Sequence, residues 1–226
     1  MKTSLIIGGT KGIGKEISKR LKSRGDRVYV VSRKKINKKN YIQFDITKDD
    51  VSILLNKIKK LNYLIFAQRY RGDKEESHFE VSVQSTDKII KAFKKRFNKE
   101  ASVIIIGSVA TSHIITEQSA SYHASRAALE SLMKYYAVEY GKNKIRFNCV
   151  SPDILIKDEN KKFLTKNHPL VKSARKITPL KRIGKSRDLS NLIEFLCSEK
   201  SSFITGQTIF VDGGLSIVGQ RSVKKI

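Results

Sequence analysis

The sequence is short of cysteine, of long apolar runs and of acidic residues. With only two cysteines, Cys149 and Cys197, in 226 residues, it cannot hold a framework of disulfide bonds. Both lie in apolar stretches, which predicts buried free thiols in a reducing compartment. No apolar run approaches membrane-spanning length, and the first residues lead directly into a strand-like segment. We therefore expect a soluble, cytoplasmic protein without a signal peptide.

Acidic residues are outnumbered by basic ones, 21 Asp and Glu against 46 Lys and Arg, which gives a net charge of +25. This charge suits a nucleic-acid partner, an acidic or phosphorylated substrate, or simply a lysine-rich proteome. The basic residues are spread over the whole chain, often on polar helix faces, and no aromatic side chains are interleaved for base stacking. The pattern favours the last interpretation, and nucleic acid is not an expected partner.

Apolar strand-like runs alternate with amphipathic helical stretches along the chain. The predicted strands cover residues 4–9, 27–33, 41–46, 62–67, 102–108, 144–150 and 207–214. The predicted helices begin near residue 13 and then cover residues 49–60, 79–97, 119–140 and 188–198. The strands are mostly apolar on both faces, as in a parallel sheet covered by helices. The alternation predicts a single α/β domain over residues 1–226, with a doubly wound, Rossmann-like parallel sheet.

One stretch departs from this alternation. Residues 153–185 contain no predicted strand and are rich in lysine and asparagine. Long connections of this kind are usually functional, so we expect this segment to cover the substrate.

The stretch IIGGTKGIG, residues 6–14, places glycines between the first strand and the first helix. Glycine permits a tight turn and lets the backbone approach a pyrophosphate, while the helix N-terminus supplies amide donors and a positive partial charge. The strand–turn–helix context makes the pattern more specific than an isolated glycine cluster. We expect nucleotide contacts from the residues of this turn, namely Gly8, Thr10, Lys11, Gly12, Ile13 and Gly14.

The end of the second strand indicates which dinucleotide is bound. An acidic residue there would bind the ribose 2′-hydroxyl of NAD, but this sequence has Ser32 and Arg33, followed by two lysines. Together with Lys11, these cations favour a 2′-phosphate and therefore NADP(H). Asp45 and Ile46, at the end of the third strand, are expected at the adenine edge.

Five stretches in order resemble the short-chain dehydrogenase/reductase family. They are GGTKGIG (8–14), IIIGSVA (104–110), YHASRAALESL (122–132), IRFNCVSP (145–152) and residues 182–216. The resemblance covers almost the whole chain. It implies a nicotinamide-dependent enzyme that interconverts a carbonyl and an alcohol of a small molecule. It also implies a homo-oligomer, a dimer or tetramer, paired through the helices predicted at 79–97 and 119–140.

In that family a serine, a tyrosine and a lysine cooperate, and an asparagine on the preceding helix holds a water relay. The serine, which orients the substrate carbonyl, corresponds to Ser108, and the proton-transferring tyrosine corresponds to Tyr122. A nearby cation lowers the pKa of such a tyrosine from about 10. Here the cation is Arg126 instead of lysine. It lies one helical turn from Tyr122 but cannot release its proton.

Three other positions depart from the family pattern. The asparagine aligns with Ser82, the Asn-Asn-Ala-Gly segment with residues 66–69, and the glycine of a Pro-Gly pair with Asp153. Arg69 and Arg71 would add positive charge beside the cleft. Together with Arg126 they indicate an anionic substrate, such as an acidic sugar or a phosphate ester, and acyl thioesters also fit.

The leading interpretation is therefore an NADP(H)-dependent oxidoreductase, and a catalytically impaired nucleotide-binding or scaffold protein is the alternative. Retention of Ser108 and Tyr122 favours the enzyme. His113 and His123 lack the spacing of metal ligands, so no metal is expected. No Gly-x-Ser-x-Gly motif surrounds Ser108, which argues against a hydrolytic nucleophile.

Overall fold

The computed structural model describes residues 1–219 and 222. The strands of the main sheet are β1 (Thr3–Ile7), β2 (Arg27–Ser32), β3 (Tyr41–Gln43), β4 (Leu61–Phe66), β5 (Phe97–Ile106), β6 (Arg146–Pro152) and β9 (Thr208–Val211). Within the described residues these seven strands are parallel, in the order β3-β2-β1-β4-β5-β6-β9. The order reverses between β1 and β4. This confirms the predicted doubly wound, Rossmann-like fold.

The helices connect successive strands and cover both faces of the sheet. They are α1 (Gly12–Ser23), α2 (Ser52–Lys57), α3 (Glu76–Phe79), α4 (Ser85–Phe93), α5 (Ala120–Glu139), α6 (Pro169–Ile177) and α7 (Ser186–Leu196). A π-helical turn, Glu80–Gln84, joins α3 to α4. The longest helix, α5, begins where the Ser119 hydroxyl accepts a hydrogen bond from the Tyr122 amide at 3.2 Å.

The strands are buried on both faces, as their apolar composition predicts. Along β1, Leu5 and Ile7 face the core formed with α2, α4 and α5, while Ile6 faces the core formed with α1 and α7. Fully burying each such side chain stabilises the fold by about 1.5–3 kcal/mol. The cysteines contribute as buried apolar groups: Cys149 and Cys197 are free thiols, and burial raises the pKa of each to about 12.

Several predicted element bounds are wrong: the strand predicted at 41–46 ends at Gln43, and the strand predicted at 207–214 covers only Thr208–Val211. The helix predicted at 79–97 ends at Phe93, and Phe97 already belongs to β5, where it pairs with Leu61. The helix predicted at 49–60 is shorter, because the Asp50 carboxylate accepts the Ser52 amide at 2.7 Å and holds a turn before it. Residues 153–185 do contain strands: β7 (Leu155–Ile156) and β8 (Gly184–Lys185) pair in parallel, with α6 between them. Two-residue strands are too short to show an alternating pattern.

The C-terminal end of α7 is buried, so its carbonyl groups need partners from the protein. The buried guanidinium of Arg146, on β6, donates to the Leu196 carbonyl at 2.9 Å and to the Ser198 carbonyl at 3.2 Å. Arg24, at the end of α1, donates to the Cys197 carbonyl at 2.9 Å. The two arginines thereby fix α7 against the sheet.

No helix among residues 1–219 and 222 is long and apolar enough to cross a membrane.

We expect Arg146→Met to lower the free energy of unfolding by about 1.5–3 kcal/mol, because two buried carbonyls lose their charged donor. The hydroxyl groups of Ser102 and Ser201 still donate to these carbonyls. Urea denaturation would measure the change. Arg27→Met removes an equal charge from an exposed position on β2 and should change stability by less than about 0.5 kcal/mol. Equal stability of the two variants would contradict this account of the α7 end.

Candidate active site

The carboxyl ends of β1, β4, β5 and β6 meet at the edge of the sheet where the strand order reverses. In open α/β sheets, ligands bind in the crevice at this point. The glycine turn follows β1, the Phe-Ala-Gln-Arg segment follows β4, and Ser108 follows β5. The fold therefore brings these stretches, distant in sequence, to one crevice.

The glycine turn has backbone geometry that requires glycine. Gly8 and Gly12 have φ of 81° and 50°, in the left-handed region. A Cβ on Gly14 would lie 2.3 Å from the Gly8 carbonyl oxygen, so α1 packs directly on the turn. Lys11 precedes α1, and no side chain caps the first helical amides. Uncapped amides at a helix N-terminus form an anion site, so the turn fits the phosphates of a dinucleotide.

The other two residues expected in this turn differ in their surroundings. Thr10 is half-buried within the turn itself. Ile13 packs against the core formed with α1 and α7. Of these two residues, only Thr10 therefore has a side chain that could hydrogen-bond to a bound phosphate.

Residues 157–159 lie over the glycine turn, which sequence reasoning did not foresee. A Cβ on Gly12 would lie 2.8 Å from Glu159 Oε1 and 3.2 Å from Lys157 Cδ. Lys15, on α1, forms an exposed ion pair with Asp158 at 3.0 Å. A carboxylate thus faces the turn expected to bind phosphates, and cofactor binding requires this carboxylate to turn away. No motif in this lysine-rich segment announces the contact.

The expected adenosine side of the crevice lies at the ends of β2 and β3. Burial alone would raise the pKa of Asp45. Hydrogen bonds from the Thr47 amide and hydroxyl, at 3.1 and 2.8 Å, and the nearby charge of Arg33 bring that pKa below its ordinary value. Ser32 ends β2, and the Arg33 side chain is exposed beside it. The Ile46 side chain is packed in the core, so only its backbone faces outward.

Ser108 and Tyr122 are both buried at the substrate end of the crevice. The Ser108 hydroxyl oxygen accepts the Ala110 amide at 3.2 Å, which leaves its hydrogen for a substrate oxygen. Tyr122 lies in the first turn of α5. Two guanidinium groups and the rings of His78 and His123 contact its ring.

Arg126 is only 2% exposed and lies over the ring of Tyr122, with Cζ 5.0 Å from the ring centroid. Its Nη2 donates to Ser82 Oγ at 2.9 Å, and its Nη1 donates weakly to the Ile106 carbonyl at 3.4 Å. Nε is buried, and no described residue accepts a hydrogen bond from it. Burial lowers the pKa of Arg126, and the charge of Arg69 lowers it further. Two of the departures from the family pattern, Arg126 and Ser82, are therefore in direct contact.

This part of the crevice contains further cations. Arg69 lies over the ring of Tyr122, with Cζ 4.8 Å from the centroid, and its Nη2 donates to Gln118 Oε1 at 2.7 Å. Burial lowers the pKa of half-buried Lys157, and the charges of Arg71 and Arg69 lower it further. None of these cations forms a salt bridge within the described part of the chain. The crevice therefore carries positive charge that the surrounding residues leave unpaired.

His78, on α3, was not singled out by sequence reasoning. Its ring centroid lies 5.7 Å from that of Tyr122, and the ring is 8% exposed. Its position four residues before Ser82 places both on one helical face, which is the signal that could have found it.

The remaining histidines and Asp153 show no metal site. The His123 ring hydrogen-bonds to the Ala110 carbonyl, with Nδ1 2.8 Å from the oxygen, so it fixes the loop after Ser108. Burial raises the pKa of Asp153, while the amide of Ile154 and the charge of His113 act in the opposite direction. In residues 1–219 and 222, no cluster of three or more His, Cys, Asp or Glu could hold a metal ion.

Comparisons with known proteins agree with this fold. A family model for enoyl-(acyl carrier protein) reductase matches residues 66–216. The chain is 31% identical to 3-oxoacyl-(acyl-carrier-protein) reductase FabG of Buchnera aphidicola subsp. Schizaphis graminum (strain Sg), across 95% of this chain and 97% of that protein. It is 30% identical to a tropinone reductase homologue of Arabidopsis thaliana, across 96% and 93%.

Among solved structures, a short-chain dehydrogenase family protein from Francisella tularensis subsp. tularensis SCHU S4 superposes with a TM-score of 0.82 at 27% identity. The match covers 96% of this chain and 100% of that one. Because similarity in sequence and in structure extends over nearly the whole length, this chain belongs to the short-chain dehydrogenase/reductase family, whose members are nicotinamide-dependent oxidoreductases of carbonyls and alcohols.

Proposed function

We propose that this protein is an NADP(H)-dependent oxidoreductase that interconverts a carbonyl and an alcohol on a small anionic substrate. The observation that carries the proposal is the environment of Tyr122. Its buried ring lies at the carboxyl ends of the strands, with the guanidinium carbons of Arg126 and Arg69 5.0 and 4.8 Å from its centroid. When bound, the nicotinamide supplies or accepts the hydride at the reacting carbon.

The proposed catalytic roles fall on three side chains. Ser108 donates a hydrogen bond to the substrate oxygen, and Tyr122 gives its proton to that oxygen or takes it away. Arg126 supplies the fixed charge that favours the phenolate. This contribution does not require the arginine to lose a proton.

The proposed cofactor contacts follow the crevice from the turn to the adenosine end. The turn residues Gly8, Thr10, Lys11, Gly12, Ile13 and Gly14 would hold the diphosphate through their backbone and, for Thr10 and Lys11, their side chains. Ser32 and Arg33 would bind a 2′-phosphate, and Asp45 with the backbone of Ile46 would border the adenine. The exposed guanidinium of Arg33, with no acidic residue beside it on β2, supports NADP(H) over NAD(H).

The proposed substrate carries a carboxylate or a phosphate, as acidic sugars and many acyl thioesters do. Arg69 supplies charge beside Tyr122, and Arg71 supplies charge near Lys157. The described residues leave both arginines without a salt bridge. An anion in a half-buried crevice gains from charge-assisted hydrogen bonds to arginine. Residues 153–185, which place Lys157 beside these arginines, would cover the bound substrate.

We also propose that the protein forms a dimer or tetramer through α4 and α5. On α5, Tyr135 and Val138 are 62% and 84% exposed. Exposed apolar side chains on one helix favour a protein–protein contact.

The cofactor proposal predicts that NADPH raises the melting temperature much more than NADH at equal concentration. A ligand at a hundred times its dissociation constant adds about 2.7 kcal/mol of stability. Arg33→Ser should weaken NADPH binding about tenfold or more, since a charge-assisted hydrogen bond is lost. Arg27→Ser, at the opposite end of β2, should leave binding unchanged. Stabilisation by neither cofactor would favour the scaffold alternative, and a preference for NADH would refute the role of Arg33.

The substrate proposal predicts a preference within pairs of carbonyl compounds that differ only in a carboxylate or phosphate. The charged member should have the lower KM. Arg69→Gln and Arg71→Gln should each raise that KM about tenfold and leave the KM for NADPH unchanged.

Two controls complete this experiment. Lys74→Gln removes the same charge from an exposed position of the same loop and should have no effect. Tyr122→Phe should bind NADPH but lower kcat by at least about a hundredfold. Equal KM values for charged and neutral compounds, unchanged by both arginine variants, would refute the anionic substrate.

A further inference from the structure

We propose that His78 is the residue through which Tyr122 exchanges its proton with water, in place of the lysine route that Arg126 closes. The inference rests on the proposed function, because it concerns the proton that Tyr122 gives or takes. It assigns a positioning role, since His78 acts through Tyr122 and not on the substrate.

Arg126 holds charge at the site but cannot conduct protons. A guanidinium does not deprotonate in proteins, whereas a lysine ammonium does. Both terminal nitrogens of Arg126 are also engaged, with Ser82 Oγ at 2.9 Å and with the Ile106 carbonyl at 3.4 Å. The Ser82 hydroxyl is thus occupied as an acceptor of this bond. A proton leaving or reaching Tyr122 therefore needs another path.

His78 has the geometry for that path. Its ring lies edge-on to Tyr122, with centroids 5.7 Å apart and planes at 74°, and edge-on to Tyr70 at 5.2 Å. Its Nδ1 is shielded from solvent and has no hydrogen-bond partner within residues 1–219 and 222. Leaving such a nitrogen unpaired costs about 1–3 kcal/mol, so buried polar groups of this kind commonly hold a water or serve a reaction.

The charges around His78 keep its ring neutral near pH 7. From α5 it faces Arg126 and Tyr122, and from the loop after β4 it faces Arg69 and Tyr70. Burial lowers the pKa of His78, both arginines lower it further, and Glu75 acts in the opposite direction. A neutral imidazole has one donor and one acceptor nitrogen, so it can pass a proton without acquiring lasting charge.

In the reducing direction, the Tyr122 O–H bond breaks as its proton joins the substrate oxygen. The phenolate then takes a proton through a water bridging it to His78, as the N–H bond of the ring breaks. In the same step the other ring nitrogen accepts a proton from solvent, so the ring stays neutral, and it returns to its starting tautomer by exchanging protons with solvent before the next turnover. One proton is taken up from solvent in each turnover. Alcohol oxidation runs the same path in reverse and releases one proton.

His78→Asn and His78→Phe should lower kcat about tenfold to a hundredfold, with the KM for NADPH and substrate changed by less than about twofold. Because a protonated imidazole cannot accept the Tyr122 proton, kcat for alcohol oxidation in the wild type should fall as the pH drops through the lowered pKa of His78. This acidic limb should vanish in His78→Asn, and added imidazole should restore part of kcat. His168→Asn keeps the side-chain cap of α6 and should behave like the wild type.

A second measurement does not require turnover. NMR titration of the four histidine rings identifies His78 by its absence in His78→Asn. Tyr122→Phe preserves the edge-on packing of the rings but removes the hydroxyl. The pH midpoint of the His78 titration should therefore move only if the ring and the hydroxyl share a hydrogen-bonded path. An unmoved midpoint, or an unchanged kcat and acidic limb in His78→Asn, would overturn the inference. A wild type that binds NADPH but converts no carbonyl or alcohol would refute the proposed function instead, and the NMR result would then decide on His78 alone.

Discussion

The guanidinium of Arg126 is buried beside Tyr122, and no carboxylate in the described part of the chain forms a salt bridge with it. Removing such a charge from water costs several kcal/mol, and the contacts around it must recover that cost. They come from separate elements: the Tyr122 ring on α5, the Ser82 hydroxyl on the π-helical turn and the Ile106 carbonyl at the end of β5. The cation therefore fixes the relative positions of these elements, and with them the surroundings of the proton-transferring hydroxyl.

Positive charge extends along the crevice beyond Arg126. Burial lowers the pKa of Lys157, and the charges of Arg71 and Arg69 lower it further. Glu159 acts in the opposite direction on Lys157, and its carboxylate also lies against the glycine turn. Glu159 is thus an anion of the chain itself that lies beside several cations. Phosphates of a dinucleotide would take over this role when they displace it, which links cofactor binding to the position of residues 153–185.

The sequence was sufficient for features that depend on local pattern and strand order. Buried strands alternating with helices predict a parallel sheet, and the carboxyl ends of such strands converge, so the glycine turn and Ser108 had to lie near one crevice. Features created by contacts between distant segments could not be predicted. Lys157 contacts the glycine turn, and His78 contacts Tyr122, only through tertiary packing. The π-helical turn was also missed, because such a turn has no periodic pattern in the sequence. The predicted ends of helices were wrong where a single turn, such as the one that Asp50 holds, interrupts the helical periodicity.

In the sequence, Arg126 and Ser82 are two separate departures from the family pattern, because each position is compared with the pattern by itself. The structure joins them through one hydrogen bond of 2.9 Å. A lysine at position 126 has no planar fork to reach both Ser82 and the Ile106 carbonyl, and an asparagine at position 82 is bulkier beside the larger guanidinium. The arginine at position 126 and the serine at position 82 therefore fit together by size and by hydrogen bonding. The two substitutions together replace an arrangement built on lysine by one built on arginine. Independent decay of an unused active site has no reason to produce matched substitutions, so this contact argues against the scaffold alternative and for a working site with a different proton path.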